Sequence, residues 1–264
     1  MFWYNGQLIQ GNSLEVAIDD PGLIYGATVF TTLRVYHQSL KHPLTNWRGH
    51  CARLWGSLQA FGWQLPESKR LQQGAEALLP SFPVLRITIF PDGREWITGR
   101  YLPADLTQRQ QRGIIAWLAD TPPLLRSLPA HKTGNYLTAW LALQQAQQRE
   151  AQEAILVDAT GNWVETSTGN LWGWQDGCWW TPPLVAGILP GTTRSQLINW
   201  LKKQGLVVQE AAWDQERLLA LEAIAYTNSV VEVIPIHTVL TQHQPLNYDS
   251  SHYSLEQLRS LFAK

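Results

Sequence analysis

The sequence predicts a mixed α/β protein built in two lobes. Short runs rich in β-branched and aromatic residues alternate with helical patterns in the first part. In the second part four such runs follow one another across Gly-Asn and Asp-Gly turns. Between the two lies an irregular Pro-rich stretch, DTPPLLRSLPAHKTGN, and a boundary near Thr121 is expected there, giving lobes of 1–120 and 121–264.

The elements read as follows. TVFTTLRVY (28–36) is β-branched and aromatic, hence a strand. RGHCARLWGSLQAFG carries Cys51, Leu54, Leu58 and Phe61 at helical spacing, with Gly62 as its stop. VLRITIF (84–90) is a second strand, ending in the turn Pro91-Asp92-Gly93. YLTAWLALQQAQQR (136–149) consists of good helix formers. EAILVD, WVET, NLWGW and CWWTPP read as short strands. TTRSQLINWLKKQG is a helix with an apolar face at Leu197, Ile198 and Leu201 and a terminal Gly205, and AIAYTNSVVEVIP closes the pattern as strand.

Composition narrows the function classes. Only 16% of the 264 residues are charged, against about 25% in ordinary globular chains. Much of the exterior is therefore neutral polar or covered by another subunit. A net charge of −1 without a basic block lacks the footprint of a nucleic-acid binder. Cys51 and Cys178 form no C-x-x-C pair, which excludes a disulfide framework and a zinc site and leaves one bridge open. No metal site is expected. MFWYNGQLIQGN has neither the basic start nor the apolar run of a secretory signal, and no stretch approaches the ~18 apolar residues of a membrane span. A cytoplasmic protein is expected. The 14 tryptophans read as core or interface residues.

Four isolated features could carry chemistry. GILPGTTRSQL places a glycine, Thr192 and Thr193 at a helix entry, either as plain capping or as an anion cradle. Arg53 in HCARL either snorkels along apolar surface or clamps a phosphate or carboxylate. Lys132 in HKTGNY stands alone beside apolar sequence, where an amine can lose its proton and serve as a Schiff-base lysine or proton shuttle. Glu165 in NWVETSTGN is one acid among hydroxyl residues and suits a pyridinium nitrogen. Singly, each is an ordinary solvated or capping residue. Jointly they supply what pyridoxal 5'-phosphate needs.

The ordered motifs YGATVFTTLRV, HCARL, HKTGNYL, VETSTGNLW, LPGTTR and NSVVEVIP resemble the class IV aminotransferase family, the pyridoxal-phosphate enzymes of fold type IV, over nearly the whole chain. That resemblance implies a smaller N-terminal α/β domain and a larger domain with a barrel-like sheet. It also implies a homodimer acting on a small-molecule substrate, with no nucleic acid or membrane partner. Lys132 is implied as the lysine that bonds the cofactor, Glu165 as the partner of its ring nitrogen and Arg53 as a phosphate ligand. Leu189 is implied against the ring face, Thr192 and Thr193 on the phosphate, and Ser229 at another phosphate-side position. Tyr136 and Asn170 shape the site.

Within the family, the strand FTTLRV looks like the 4-amino-4-deoxychorismate lyases, because the aminotransferases more often carry glutamate where Thr31 stands. The expectation is a lyase releasing 4-aminobenzoate and pyruvate in folate biosynthesis. Lys132 and Thr32 are its catalytic residues, with Thr32 equally readable as a plain strand former. GNY resembles the branched-chain aminotransferases, so an aminotransferase of branched-chain or D-amino acids is the alternative. RITIFPDGR departs from the D-amino-acid pattern, and Arg34, Arg86, Arg94 and Arg100 are all candidates for a substrate carboxylate.

Overall fold

The computed structural model describes residues 1–120, 124 and 126–263. They fall into two compact units, one of 1–103 with 131–135, the other of 104–130 with 136–264. The units therefore divide at Pro103/Ala104, ahead of the expected 120/121, and Lys132 goes with the first. The physical reason is pairing. The strand at Ile114–Ala119 pairs with two strands of the second unit, whereas Thr133 bridges Val29 in the first. Residues 121–123 and 125 of the expected connection lie outside the described residues.

The first unit contains β1 (Phe2–Tyr4), β2 (Gln7–Ile9), α1 (Pro21–Ile24), β3 (Val29–Arg34), α2 (Trp47–Ala60), α3 (Ser68–Leu78), β4 (Val84–Ile89) and β5 (Glu95–Arg100). The strands form an antiparallel sheet in the order β2-β1-β5-β4-β3. Alternation sorts its faces. Val29, Leu33, Leu85, Ile87, Ile89 and Ile97 point into a core closed by Leu54 and Leu58 of α2 and Leu71, Ala75 and Leu78 of α3. Phe30, Thr32, Arg34, Arg86, Thr98 and Arg100 occupy the alternate register positions and share the opposite face. Asn46 caps α2, its carboxamide oxygen accepting from the N–H of Gly49, and Gly62 at φ +66° ends the run as its position suggested.

The second unit contains α4 (Leu106–Arg112), β6 (Ile114–Ala119), α5 (Leu137–Gln148), β7 (Glu153–Val157), β8 (Trp163–Thr166), β9 (Asn170–Gln175) and β10 (Cys178–Thr181). After a single 3₁₀ turn come α6 (Thr192–Lys203), β11 (Val207–Glu210), α7 (Gln215–Ala220), β12 (Ala223–Asn228), β13 (Glu232–Leu240), β14 (Leu246–Asn247) and α8 (Leu255–Arg259). Its mixed sheet runs β11-β10-β9-β12-β13-β6-β7-β8, with β14 on β13. Trp172, Trp174 and Trp179 pack against Leu197 and Leu201 of α6 and Leu255 and Leu258 of α8. Trp163 and Trp213 are also fully buried, so several of the tryptophans are core residues as the composition suggested. The closing strand-like stretch resolves into two antiparallel strands, β12 and β13, joined by a turn at residues 229–231.

Cys51 and Cys178 are both free. Among the described residues no helix is long and apolar enough to cross a membrane, and no group of three or more His, Cys, Asp or Glu side chains is placed to hold a metal ion.

Candidate active site

Lys132 sits on the edge of the first sheet. β3 is an edge strand, and the segment 131–135 lies along it. The N–H of Phe30 donates to the carbonyl of Lys132 (2.8 Å), and the N–H of Gly134 donates to that of Thr28 (2.7 Å). An edge strand needs such cover. Gly134 makes it possible, because a Cβ there would collide with Thr28 Oγ1 and the carbonyl of Gly26. His131 docks the same segment on α2, its Nδ1 3.0 Å from Ser57 Oγ and its ring 4.6 Å from that of Phe61. Lys132 Nζ comes to rest 4.9 Å from the centroid of Phe30. Arg86 approaches the same ring, its Cζ 3.5 Å from the centroid. Thr32 is directly opposite Arg86 in the β3–β4 register.

On the core-facing side of β3, Thr31 is completely buried. Its hydroxyl accepts from Arg53 Nη2 (2.8 Å) and lies 2.6 Å from His50 Nδ1. The guanidinium can only donate, so the hydroxyl accepts from Arg53 and keeps both a proton and a second lone pair with which to meet His50 Nδ1. Burial holds His50 well below the ordinary histidine range, and the nearby Arg53 and Lys132 push the same way. The neutral ring thus adds no charge beside the two cations.

The four candidate arginines separate. Arg94 is committed: Nη2 donates to Asp20 (2.6 Å), Nε to Asp92 (2.5 Å) and Nη1 to the Tyr4 hydroxyl (2.6 Å). Arg34 lies over Tyr36, and Arg100 is exposed at the end of β5. Arg86 shares the ring that Lys132 touches.

In the second unit, Glu165 is 3% exposed on β8. Its Oε2 accepts the N–H of Leu189 (3.0 Å), and its Oε1 accepts from Arg126 Nη1 (2.9 Å). Arg126 in turn donates to the carbonyl of Pro129 (2.7 Å), and its Cζ is 5.7 Å from the ring of Tyr136. A buried acid of this kind is tolerable only with such partners. Sequence reasoning missed Arg126, whose one signal was a lone cation inside a Pro- and Leu-rich run. Asn170 completes the frame by donating Nδ2–H to the carbonyl of Leu189 (3.0 Å), and the Tyr136 hydroxyl donates to the carbonyl of Ser167 (2.9 Å).

The start of α6 forms a second group in the same unit. Gly191 is its N-cap, where a Cβ would run into the Asn170 side-chain oxygen. Thr192 Oγ1 and Thr193 Oγ1 lie 2.9 and 3.2 Å from Ser229 Oγ. The N–H groups of a first helical turn are those the helix does not use in its own ladder, and with three hydroxyls beside them they suit an anion. The structure thus brings Thr192, Thr193 and Ser229 together, Leu189 to Glu165, and Thr31 to Arg53. It places Lys132 and Thr32 on one sheet face with Phe30 and Arg86.

These donor sets fit pyridoxal phosphate chemically. The carboxylate suits a protonated ring nitrogen, the hydroxyl-rich helix start and the arginine suit a phosphate, and the amine suits an aldehyde.

Comparison with known proteins agrees. Residues 28–239 match the model of the family "Amino-transferase class IV". A branched-chain-amino-acid aminotransferase of Escherichia coli (strain K12) is 26% identical over 264 residues, covering 90% of this chain and 84% of the relative. A crystal structure of an Escherichia coli branched-chain aminotransferase superimposes with a TM-score of 0.81 at 24% identity, over 99% of this chain and 92% of that one. A solved structure named as a candidate 4-amino-4-deoxychorismate lyase is 28% identical, with a TM-score of 0.71, over 87% and 92% of the two chains. The expected mixed α/β fold with a barrel-like sheet is thereby met. On its sequence, and with a fold to match, the chain belongs to the class IV aminotransferase family, enzymes that work with pyridoxal 5'-phosphate.

Proposed function

We propose that this enzyme is a 4-amino-4-deoxychorismate lyase. The observation that carries the reading is the pair Thr31-Thr32 on β3. Thr31 fills a buried position with a hydroxyl that bridges His50 and Arg53, where the aminotransferases more often have glutamate. Thr32 stands on the face that carries Phe30, Arg86 and, over the Phe30 ring, Lys132. The 28% identity to the candidate lyase structure supports it. A class IV aminotransferase acting on branched-chain or D-amino acids is the second reading, favoured by the 26% identity to the Escherichia coli branched-chain enzyme.

When bound, pyridoxal phosphate supplies an aldehyde for the substrate amine and a sink for the electron pair left when a C–H proton departs. The chain supplies the rest. Lys132 anchors the cofactor and afterwards takes the proton from the ring carbon that bears the amine. Glu165, fixed by Leu189 and Arg126, holds the pyridine nitrogen protonated. Arg53, Thr192, Thr193 and Ser229 would hold the phosphate, and Leu189 would lie against the ring. Arg86 takes a substrate carboxylate. Thr32 would donate a hydrogen bond to the ether oxygen as the neighbouring C–O bond breaks. The C–O electron pair leaves with the enolate of pyruvate, which takes one proton on carbon to become pyruvate as Lys132 gives up the proton it removed. The amine stays on the ring, and the product aromatises to 4-aminobenzoate. An aminotransferase would share the proton removal and then return the proton elsewhere, releasing a keto acid.

The exposed apolar face of α5, with Leu137 and Trp140 both more than half exposed, supports assembly as a homodimer.

Two assays on one cofactor-loaded sample test the reading. One follows 4-aminobenzoate and pyruvate from aminodeoxychorismate, and the other follows keto acids from L- and D-amino acids. The lyase reading expects 4-aminobenzoate and pyruvate in equal amounts and loss of both in Lys132→Ala. Keto-acid turnover without 4-aminobenzoate establishes the aminotransferase instead.

A further inference from the structure

Glu153, at the start of β7, is a carboxylate that neither the proposed reaction nor the motif pattern uses. It is 1% exposed. Burial pushes its carboxyl upward, and hydrogen bonds pull against that shift. Oε1 accepts from Ser167 Oγ and from the N–H of Ala154 (2.9 Å), and Oε2 accepts from Thr168 Oγ1. Ser167 and Thr168 are the tip of the turn from β8 to β9, closed by Thr166 N–H to the Gly169 carbonyl (2.8 Å) and Gly169 N–H to Thr166 Oγ1 (2.9 Å). Ser167 is also tied back to β7, its N–H donating to the carbonyl of Ala154 (2.8 Å).

Glu165 is the residue immediately before that turn, paired in register with Leu156 of β7. On its other side Thr168 Oγ1 accepts from Asn228 Nδ2 at 3.4 Å. Asn228 Oδ1 takes the N–H groups of Val230 (2.9 Å) and Val231 (3.0 Å) and so shapes the turn that carries Ser229. Ser229 meets the hydroxyls of Thr192 and Thr193. One buried carboxylate is therefore bonded to the turn beside Glu165 and, through one threonine, to the turn beside Ser229.

We propose that Glu153 is a positioning residue that sets the spacing between the ring-nitrogen acid, Glu165, and the hydroxyl cradle of Thr192, Thr193 and Ser229. The inference rests on the reading of those four residues as cofactor ligands. A rigid cofactor must satisfy both ends at once, whereas a lone phosphate needs only the cradle. Loss of the spacer therefore penalises the first and spares the second.

The test compares the affinity of the cofactor-stripped full chain for pyridoxal phosphate and for inorganic phosphate. The proteins are wild type, Glu153→Gln, the double variant Ser167→Ala/Thr168→Ala, Thr168→Ser and Glu165→Gln. Leu258→Ala, a core change on α8, serves as a control for general destabilisation. Glu153→Gln and the double alanine variant are expected to raise the pyridoxal phosphate Kd about tenfold with the phosphate Kd unchanged. Thr168→Ser should bind as wild type does, and Leu258→Ala should lower the melting temperature without moving either Kd. A folded Glu153→Gln with unchanged pyridoxal phosphate affinity overturns the proposal, as does a parallel loss of both affinities. If Glu165→Gln also leaves pyridoxal phosphate binding and the visible spectrum untouched, the reading of the site fails. If Glu165→Gln is impaired while Glu153→Gln is normal, only the spacer fails.

Discussion

At the scale of residues, the hydroxyl of Thr31 is the most constrained group near Lys132. Thr31→Val keeps the volume and removes the hydroxyl that accepts from Arg53 Nη2 and meets His50 Nδ1. A loss of about 1.5–3 kcal/mol is expected in urea unfolding, the usual range for a hydrogen bond to a charged group. His50 itself makes stability depend on pH. Its folded pKa is depressed, so the unfolded chain takes up the proton first and stability rises with pH. Full stability is present above about pH 6.5, the ordinary histidine value, and falls as the pH drops below it. The urea midpoint measured from pH 7.5 to 5 should decline in wild type and less steeply in His50→Asn. Cys51 is a quieter case: burial pushes its thiol up to about 12, and a thiol reagent at pH 8 should modify it slowly.

Residues of this kind differ in how well the sequence reveals them. Lys132 and Glu165 stand out because each is a lone charge among neutral neighbours in a recognisable string. Arg126 has no such string, and its role arises from a contact 39 residues along the chain. Glu153 begins an ordinary strand pattern, EAILVD, and nothing local distinguishes a buried acid there from an exposed one.

At the scale of elements, strands with alternating β-branched residues and helices with clear stops were legible: 28–36, 84–90, 136–149 and α6 all stand where the pattern put them, within a residue or two at their ends. α3 was not, since SKRLQQGAEAL is polar, and its apolar stripe of Leu71, Ala75 and Leu78 acquires meaning only against the sheet. The N-terminal hairpin of β1 and β2 was equally hidden, being only three residues per strand. Its pairing with β5 is supported by Glu95, which accepts from Trp3 Nε1 (3.0 Å) and the N–H of Gly6 (2.8 Å). The start of α6 can be tested on its own. Thr192→Ala/Thr193→Ala removes two hydroxyls from the cradle while keeping the backbone N–H groups. Pyridoxal phosphate affinity, followed by absorbance titration, should fall by roughly 10–100-fold, the range for hydrogen bonds to a charged group.

At the scale of the whole molecule, the low charge content and the apolar face of α5 point the same way. Light scattering should give about twice the 29.9 kDa chain mass, and Trp140→Glu should shift it toward the single-chain value. The division into units was the least legible feature. The sequence marks a composition change near Thr121, but membership is decided by which strand each segment pairs with. β6 joins the second unit through β13 and β7, although it precedes that change.

The pairing of 131–135 with β3 limits how this chain can be dismantled. A fragment ending at Pro103 would expose the edge of β3 and lack the lysine, and a fragment beginning at Ala104 would carry the lysine without the strand that holds it. Split-protein reconstitution at that junction would have to restore the rung between Val29 and Thr133 before any catalysis could return. A circular permutant that opens the chain elsewhere keeps that rung covalently connected on both sides. Permutation, rather than domain excision, is thus the compatible way to re-engineer this enzyme.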